Sequence, residues 1–244
     1  MIACIAPHGW LLLPFLGGPA SPKASSSQAA MQEIGRRFAS ARPDTLVVMT
    51  PHGLEVEGVF SLLDTPVVRG ETGRDPSLSS SPHSFSLQFN IDQEFNEALV
   101  KAAQAENIPA ARVKNKTMEP LNLDFATTIP LWFTAASLFP PPKIVVACAG
   151  SGLDWKIFPG FGASIRRAAE SLGRRVGFIA SADMGHAHDP NHRYGYDPAS
   201  REFEQAVIAA IQANDLGRLL SYDEDWVKRA KTDAYGQLLT LYGM

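Results

Sequence analysis

The strongest constraint on the fold is a set of short apolar runs that do not alternate with polar residues. Thr45–Met49, Lys143–Ala149 and Arg175–Ala180 are rich in Val, Ile and Ala and lack the period of two expected of a strand with one wet face. Strands of this kind must be covered on both sides. Further strand candidates are Ile2–Ala6, Val56–Leu63 and Phe85–Asn90. Helical patterns lie between them, at Gln28–Ser40, Asp92–Glu106, Thr127–Leu138 and Phe161–Leu172, and another opens at Asp197-Pro198 with Phe203, Val207, Ala210 and Ile211 down one face. Alternating strands and helices predict an α/β fold whose central sheet, mostly parallel or mixed, is flanked by helices. Arg69 to Ser84, rich in Gly, Pro and Ser, reads as a loop, either a mobile cover or an edge excursion, and Pro140-Pro141-Pro142 as a stiff connector. Neither forces a boundary, so residues 1–244 are read as one domain.

Two strand candidates end in the same way. Pro7-His8-Gly9 follows the first, and Pro51-His52-Gly53 follows the second. Proline lacks a ladder donor, so pairing stops there and the next side chain is delivered at the carboxyl edge of the sheet. In open α/β sheets that edge is where ligands bind. Three more of the six histidines (His186, His188 and His192) crowd behind the Arg175–Ala180 strand, and His83 lies in the Ser/Pro-rich loop, where it reads as solvated. Convergence of three strand ends would gather His8, His52 and His186. Imidazoles so gathered suit a divalent metal, and two with one carboxylate leave coordination positions open. Asp183, Asp189, Asp233, Glu224 and Asp225 are all candidates for that carboxylate, and spacing alone does not choose among them.

Other classes find no support. A net charge of −3 gives no footprint for nucleic acid or an anionic membrane, and no apolar run reaches the ~18 residues of a membrane span. Cys4 and Cys148 sit in apolar runs and read as buried, reduced thiols, so the expected location is the cytoplasm. No HExxH, CxxC pair, GxSxG or phosphate-cradling GxxxxGK[ST] occurs, the Gly150 and Gly160 pairs read as turns, and the Asn115 sequon reads as chance.

Four segments in order, Ala6-Pro7-His8-Gly9, Thr50-Pro51-His52-Gly53, Leu123-Asp124 with Ile129-Pro130-Leu131, and Ala180-Ser181-Ala182-Asp183-Met184-Gly185-His186, resemble the class III (LigB-type) extradiol ring-cleavage dioxygenase superfamily, which includes Memo-like relatives. The resemblance runs over nearly the whole chain. It implies that His8 and His52 bind Fe(II), with Zn(II) or Mn(II) as alternatives, and that His186 is the catalytic acid/base. The family's third ligand is a glutamate near the carboxyl end, and the carboxylate in that register here is Asp233, with Thr232 placed to cap the helix that follows. Where the family often has Asp-His-Gly, this chain has Asp124-Phe125-Ala126, so Phe125 is expected to line an apolar substrate pocket together with Trp10. Trp132 and Phe133 read as core, and Arg193 and Lys114 as side chains able to pair with a substrate carboxylate. The implied reaction opens a catechol- or aminophenol-type ring with O2. The alternatives are a non-catalytic Memo-like binding or signalling protein and a Zn-dependent hydrolase. The implied partners are a small aromatic and O2, with no nucleic acid or membrane, and a homo-oligomer or partner subunit that would supply or complete the closing helix, since relatives commonly run on past Met244.

Overall fold

The computed structural model describes residues 1–15, 24–71, 85–117 and 119–244. In chain order the elements are β1 (Ile2–Ala6), α1 (Ser25–Ala41), β2 (Thr45–Thr50), β3 (Phe60–Leu63), β4 (Val67–Glu71), β5 (Ser86–Asn90), α2 (Gln93–Gln104), β6 (Ala110–Val113), β7 (Leu121–Asn122), α3 (Phe125–Thr134), β8 (Lys143–Ala149), α4 (Phe158–Leu172), β9 (Val176–Ser181), α5 (Ala199–Gln212), α6 (Glu224–Arg229) and α7 (Tyr235–Gly243). Six strands form the central sheet in the order β1-β9-β2-β8-β3-β6, and a smaller sheet runs β5-β4-β7. All ladders of the large sheet are parallel except β3 against β8. The α/β expectation with a mixed sheet therefore holds.

The non-alternating runs are explained by cover on both sides. Every residue of β2 and β9 is buried. Val47, Met49, Val145, Ala147, Phe178 and Ala180 pack into one core with α2, α4, α5 and α7, where the Phe60 and Phe161 rings stack at 4.0 Å. Their neighbours Leu46, Val48, Ile144, Val146 and Ile179 point the other way, into a second core with α1, α3 and the small sheet. Gly177 makes room for this second core, since a Cβ there would stand 2.6 Å from Leu46 and 2.9 Å from Phe38.

Several expected boundaries move. The Val56–Leu63 strand begins only at Phe60, because Val56 instead pairs with Val59 across a turn in which Gly58 adopts φ +68°. Arg69 to Glu71, read as loop, belong to β4, while His83 and the rest of that predicted loop lie outside the described residues. Helix α3 starts at Phe125, because Asp124 caps it by accepting the Thr127 amide at 2.9 Å. It stops at Thr134, where the Ala135 and Ala136 amides both fall back on the Leu131 carbonyl. Cys4 and Cys148 are free thiols, and burial pushes them up to about 12 and about 11. Among the described residues no helix is long and apolar enough to cross a membrane.

Candidate metal centre

β9 lies between β1 and β2, with Ala6 level with Ser181 and Met49 level with Ala180. The three neighbouring strands thus end at one height. Pro7-His8, Ala182-Asp183 and Pro51-His52 leave the sheet side by side. The two glycines behind the histidines are not equivalent. A Cβ on Gly53 would sit 2.8 Å from Thr50 and 3.0 Å from Cys148, so the close approach there requires glycine, whereas one on Gly9 would meet nothing within 4 Å.

The histidine rings face each other edge to face with centroids 5.3 Å apart. Asp233 closes the group from the turn before α7, its Oδ2 3.4 Å from His8 Nε2 and 3.3 Å from His52 Nε2. One donor atom from each of the three lies within 4.8 Å of the others. Lys231, in left-handed conformation at φ 51°, reverses the chain after α6. Thr232 does not cap α7 as expected, since the N-cap is Ala234 with no side-chain bond, and the Thr232 hydroxyl instead accepts the Ala234 amide at 3.0 Å within the preceding turn. Asp183 is the second acid at hand. Its Oδ1 accepts the His8 amide at 3.0 Å, its Oδ2 stands 3.5 Å from His8 Nε2, and its amide donates to Asp233 Oδ1 at 2.9 Å.

The buried imidazole of His8 is held in one tautomer by a relay that starts at a proline. Pro130 lies four residues after Ala126 within α3 and has no N–H, so the Ala126 carbonyl loses its helical donor. The Ser181 hydroxyl supplies one at 2.6 Å. With its proton committed, Ser181 Oγ can only accept from His8 Nδ1, 3.0 Å away. Nδ1 then carries the hydrogen, and Nε2 turns a lone pair towards Asp183 and Asp233. Acceptors converging in this way need a cation among them, either protons on the imidazoles or a metal ion, and the donor set fits a divalent metal of intermediate softness.

Electrostatics agree with shared positive charge. The hydrogen bond to Asp233 raises the His52 pKa above its ordinary value against the opposing effect of burial. For Asp233 burial is the largest influence and favours the neutral acid, but the hydrogen bond from His52 and the His8 imidazole beside it outweigh burial and hold the carboxyl at about 2.

Phe125 lies over the centre, stacked on His52 with centroids 4.8 Å apart and edge-on to His8 at 5.5 Å, and Trp10 packs on Phe125 at 5.9 Å. Of the two expected pocket residues, Phe125 is therefore beside the histidines and Trp10 reaches them only through Phe125. The group able to hold a metal joins His8 and His52 to Asp233, and Asp183, three residues before His186, stands beside His8. His186 is half-buried and its Nδ1 donates to the Lys231 carbonyl at 2.5 Å. His188 pairs with Glu204 at 2.9 Å, while His192 and Arg193 pack on Tyr194. Glu224 and Asp225 share Lys228, and Asp189 turns its own loop through the Asn191 amide. Phe133 is core, and Trp132 packs against Phe15. Ser181, Asp124 and Pro130 stand in the segments that carry the resemblance, but their parts in these hydrogen bonds had no signal in the sequence.

A family model described as the catalytic LigB subunit of aromatic ring-opening dioxygenase matches residues 2–244. Protein CA_C1420 of Clostridium acetobutylicum is 25% identical over 232 residues, covering 93% of this chain and 48% of that protein, so the chain spans about half the length of this curated relative. The crystal structure of the uncharacterized protein JW3007 from Escherichia coli K12 superposes with a TM-score of 0.59 at 16% identity, over 89% of this chain and 81% of that one, a likeness of fold.

Proposed function

This chain belongs to the LigB family of aromatic ring-opening dioxygenase catalytic subunits, and from that premise we propose that it is a non-haem Fe(II)-dependent extradiol dioxygenase that opens a catechol- or aminophenol-type ring with O2. The observation that carries this reading is the meeting of His8, His52 and Asp233 at adjacent strand ends. These three would hold the metal. Bound there, Fe(II) would accept the ring's two heteroatoms and O2 together and pass electron density between them.

The remaining work falls to side chains. Ser181 keeps the His8 lone pair on Nε2, the nitrogen that faces the centre. Phe125 and Trp10 offer the substrate ring an apolar wall and exclude water. His186, with Nδ1 donating to the Lys231 carbonyl, keeps Nε2 as an acceptor, the form suited to take a proton from the second ring hydroxyl and return it later. The substrate partners in this reading are a small aromatic and O2. Ferrous chemistry beside two free thiols suits a reducing compartment, so we assign the cytoplasm.

One observation favours a second reading, a non-catalytic relative. Phe125 stands against both imidazoles, where the resemblance leads to a histidine. Anaerobic protein loaded with Fe(II) and then given a panel of catechols and aminophenols in air decides between them. The dioxygenase consumes O2 in proportion to substrate and forms a yellow ring-opened product. Iron retention without O2 uptake across the panel refutes it, and turnover of esters with Zn(II) would indicate a hydrolase instead.

A further inference from the structure

A cavity of about 360 Å³ opens beside Asp233, walled by the tip of β2, the turn after β8, and the start of α7. Neither Trp10 nor Phe125 lines it, so it is a separate space from the aromatic wall over the histidines. Gln237 does line it. This residue is only 5% exposed, yet its side-chain amide has no hydrogen-bond partner among the described residues. Its amide is not one of the sealed unsatisfied groups, so it opens onto the cavity and is free to take a ligand there.

The other polar groups on the walls are engaged elsewhere. The Thr50 hydroxyl donates to Asp124, Thr232 accepts from the Ala234 amide, and the Tyr235 hydroxyl donates to the Leu219 carbonyl. Trp155 packs on Phe158 at 4.9 Å and on Tyr235 at 5.2 Å, which gives the cavity an apolar side broad enough for a substituent's carbon atoms. The free charge on the walls is acidic: with Asp233 given to the metal, Glu55 faces the space, and its cation, Lys228, lies 3.6 Å from each of Glu224 and Asp225.

We propose that this cavity receives the substituent of the aromatic substrate, and that Gln237 sets specificity by hydrogen-bonding an uncharged polar group on it, such as a hydroxymethyl or carboxamide, while the acidic rim turns carboxylated rings away. The inference rests on the ring-opening reading and adds the class of ring. An amide presents a donor and an acceptor together, so it satisfies a carboxamide or alcohol fully and a methyl group not at all.

The test uses the full chain loaded with Fe(II) and four rings: unsubstituted catechol, and catechols bearing a hydroxymethyl, a carboxamide or a carboxylate group para to one hydroxyl. Binding is measured by anaerobic calorimetry and turnover by O2 uptake. The carboxamide and hydroxymethyl rings are expected to bind about tenfold more tightly than catechol, and the carboxylate ring more weakly than catechol. Gln237→Leu, similar in size and a good helix former, should erase that preference and leave catechol binding and turnover within about twofold. A wild-type protein that opens catechol but ranks the substituents otherwise, or a Gln237→Leu variant that keeps the ranking, overturns this inference alone. A wild-type protein that neither binds nor opens any of the four overturns the ring-opening reading and this inference with it.

Discussion

Replacing Ser181 with alanine tests whether the proline-to-histidine relay prepares the centre for a metal. His8 is 1% exposed, so without Ser181 the Nδ1–H has no water to turn to. An unsatisfied buried donor costs about 1–3 kcal/mol. The ring escapes that cost by carrying its hydrogen on Nε2, where Asp233 Oδ2 at 3.4 Å and Asp183 Oδ2 at 3.5 Å can accept it. That is the nitrogen a metal must use. Loss of an outer hydrogen-bond partner of a ligating histidine typically weakens metal binding about 10–100-fold, or about 1.4–2.8 kcal/mol. Fe(II) affinity is to be measured by anaerobic chelator competition, with Zn(II) as a redox-silent control. The tautomer of His8 in the metal-free protein is read by 15N NMR, which should report Nδ1–H in the wild type and Nε2–H in Ser181→Ala. Global stability should fall as well, since the Ala126 carbonyl loses its donor. Unchanged affinity together with an unchanged tautomer would refute the relay.

Two further outcomes are expected. His186→Ala should bind Fe(II) like the wild type and lose most turnover; loss of iron would make His186 a ligand instead. In the metal-free protein the His52–Asp233 pair should stabilise the fold most between pH 3.8 and 6.5. His52 has a raised pKa, so its share is complete below 6.5 and is lost as pH rises through the raised value. The share of Asp233 is complete above 3.8 and is lost as pH falls towards 2. The difference in Tm between wild type and Asp233→Asn should follow that bell, and a difference independent of pH would show the pair to be uncoupled.

The main sheet and half of the centre were legible because both depend on local signals. Uninterrupted Val/Ile runs reveal two-sided burial, and a proline after such a run marks where His8 and His52 emerge. Short edge elements were not legible: β7 has only Leu121 and Asn122, and β6 carries Arg112 among four residues, too little pattern to separate from loop. Asp233 could be reached only through resemblance, because its position depends on the left-handed turn at Lys231 and on α7 packing back on α4. The contact of His186 with Lys231 had no signal, because the sequence gives the strand end but not the path of the loop beyond it. Ser181 lay in a matching segment, but its role was not legible, since it arises from contacts with residues 55 and 173 positions away.

Asp124 has a mechanical consequence for whatever ring the centre receives. One oxygen of its carboxylate takes the Thr50 hydroxyl, whose own oxygen accepts the His52 amide, and the same carboxylate caps the helix that begins with Phe125. The phenyl roof and the imidazole below it therefore hang from a single bracket. The two rings, already in contact at 4.8 Å, are tied to one anchor and shift together or not at all.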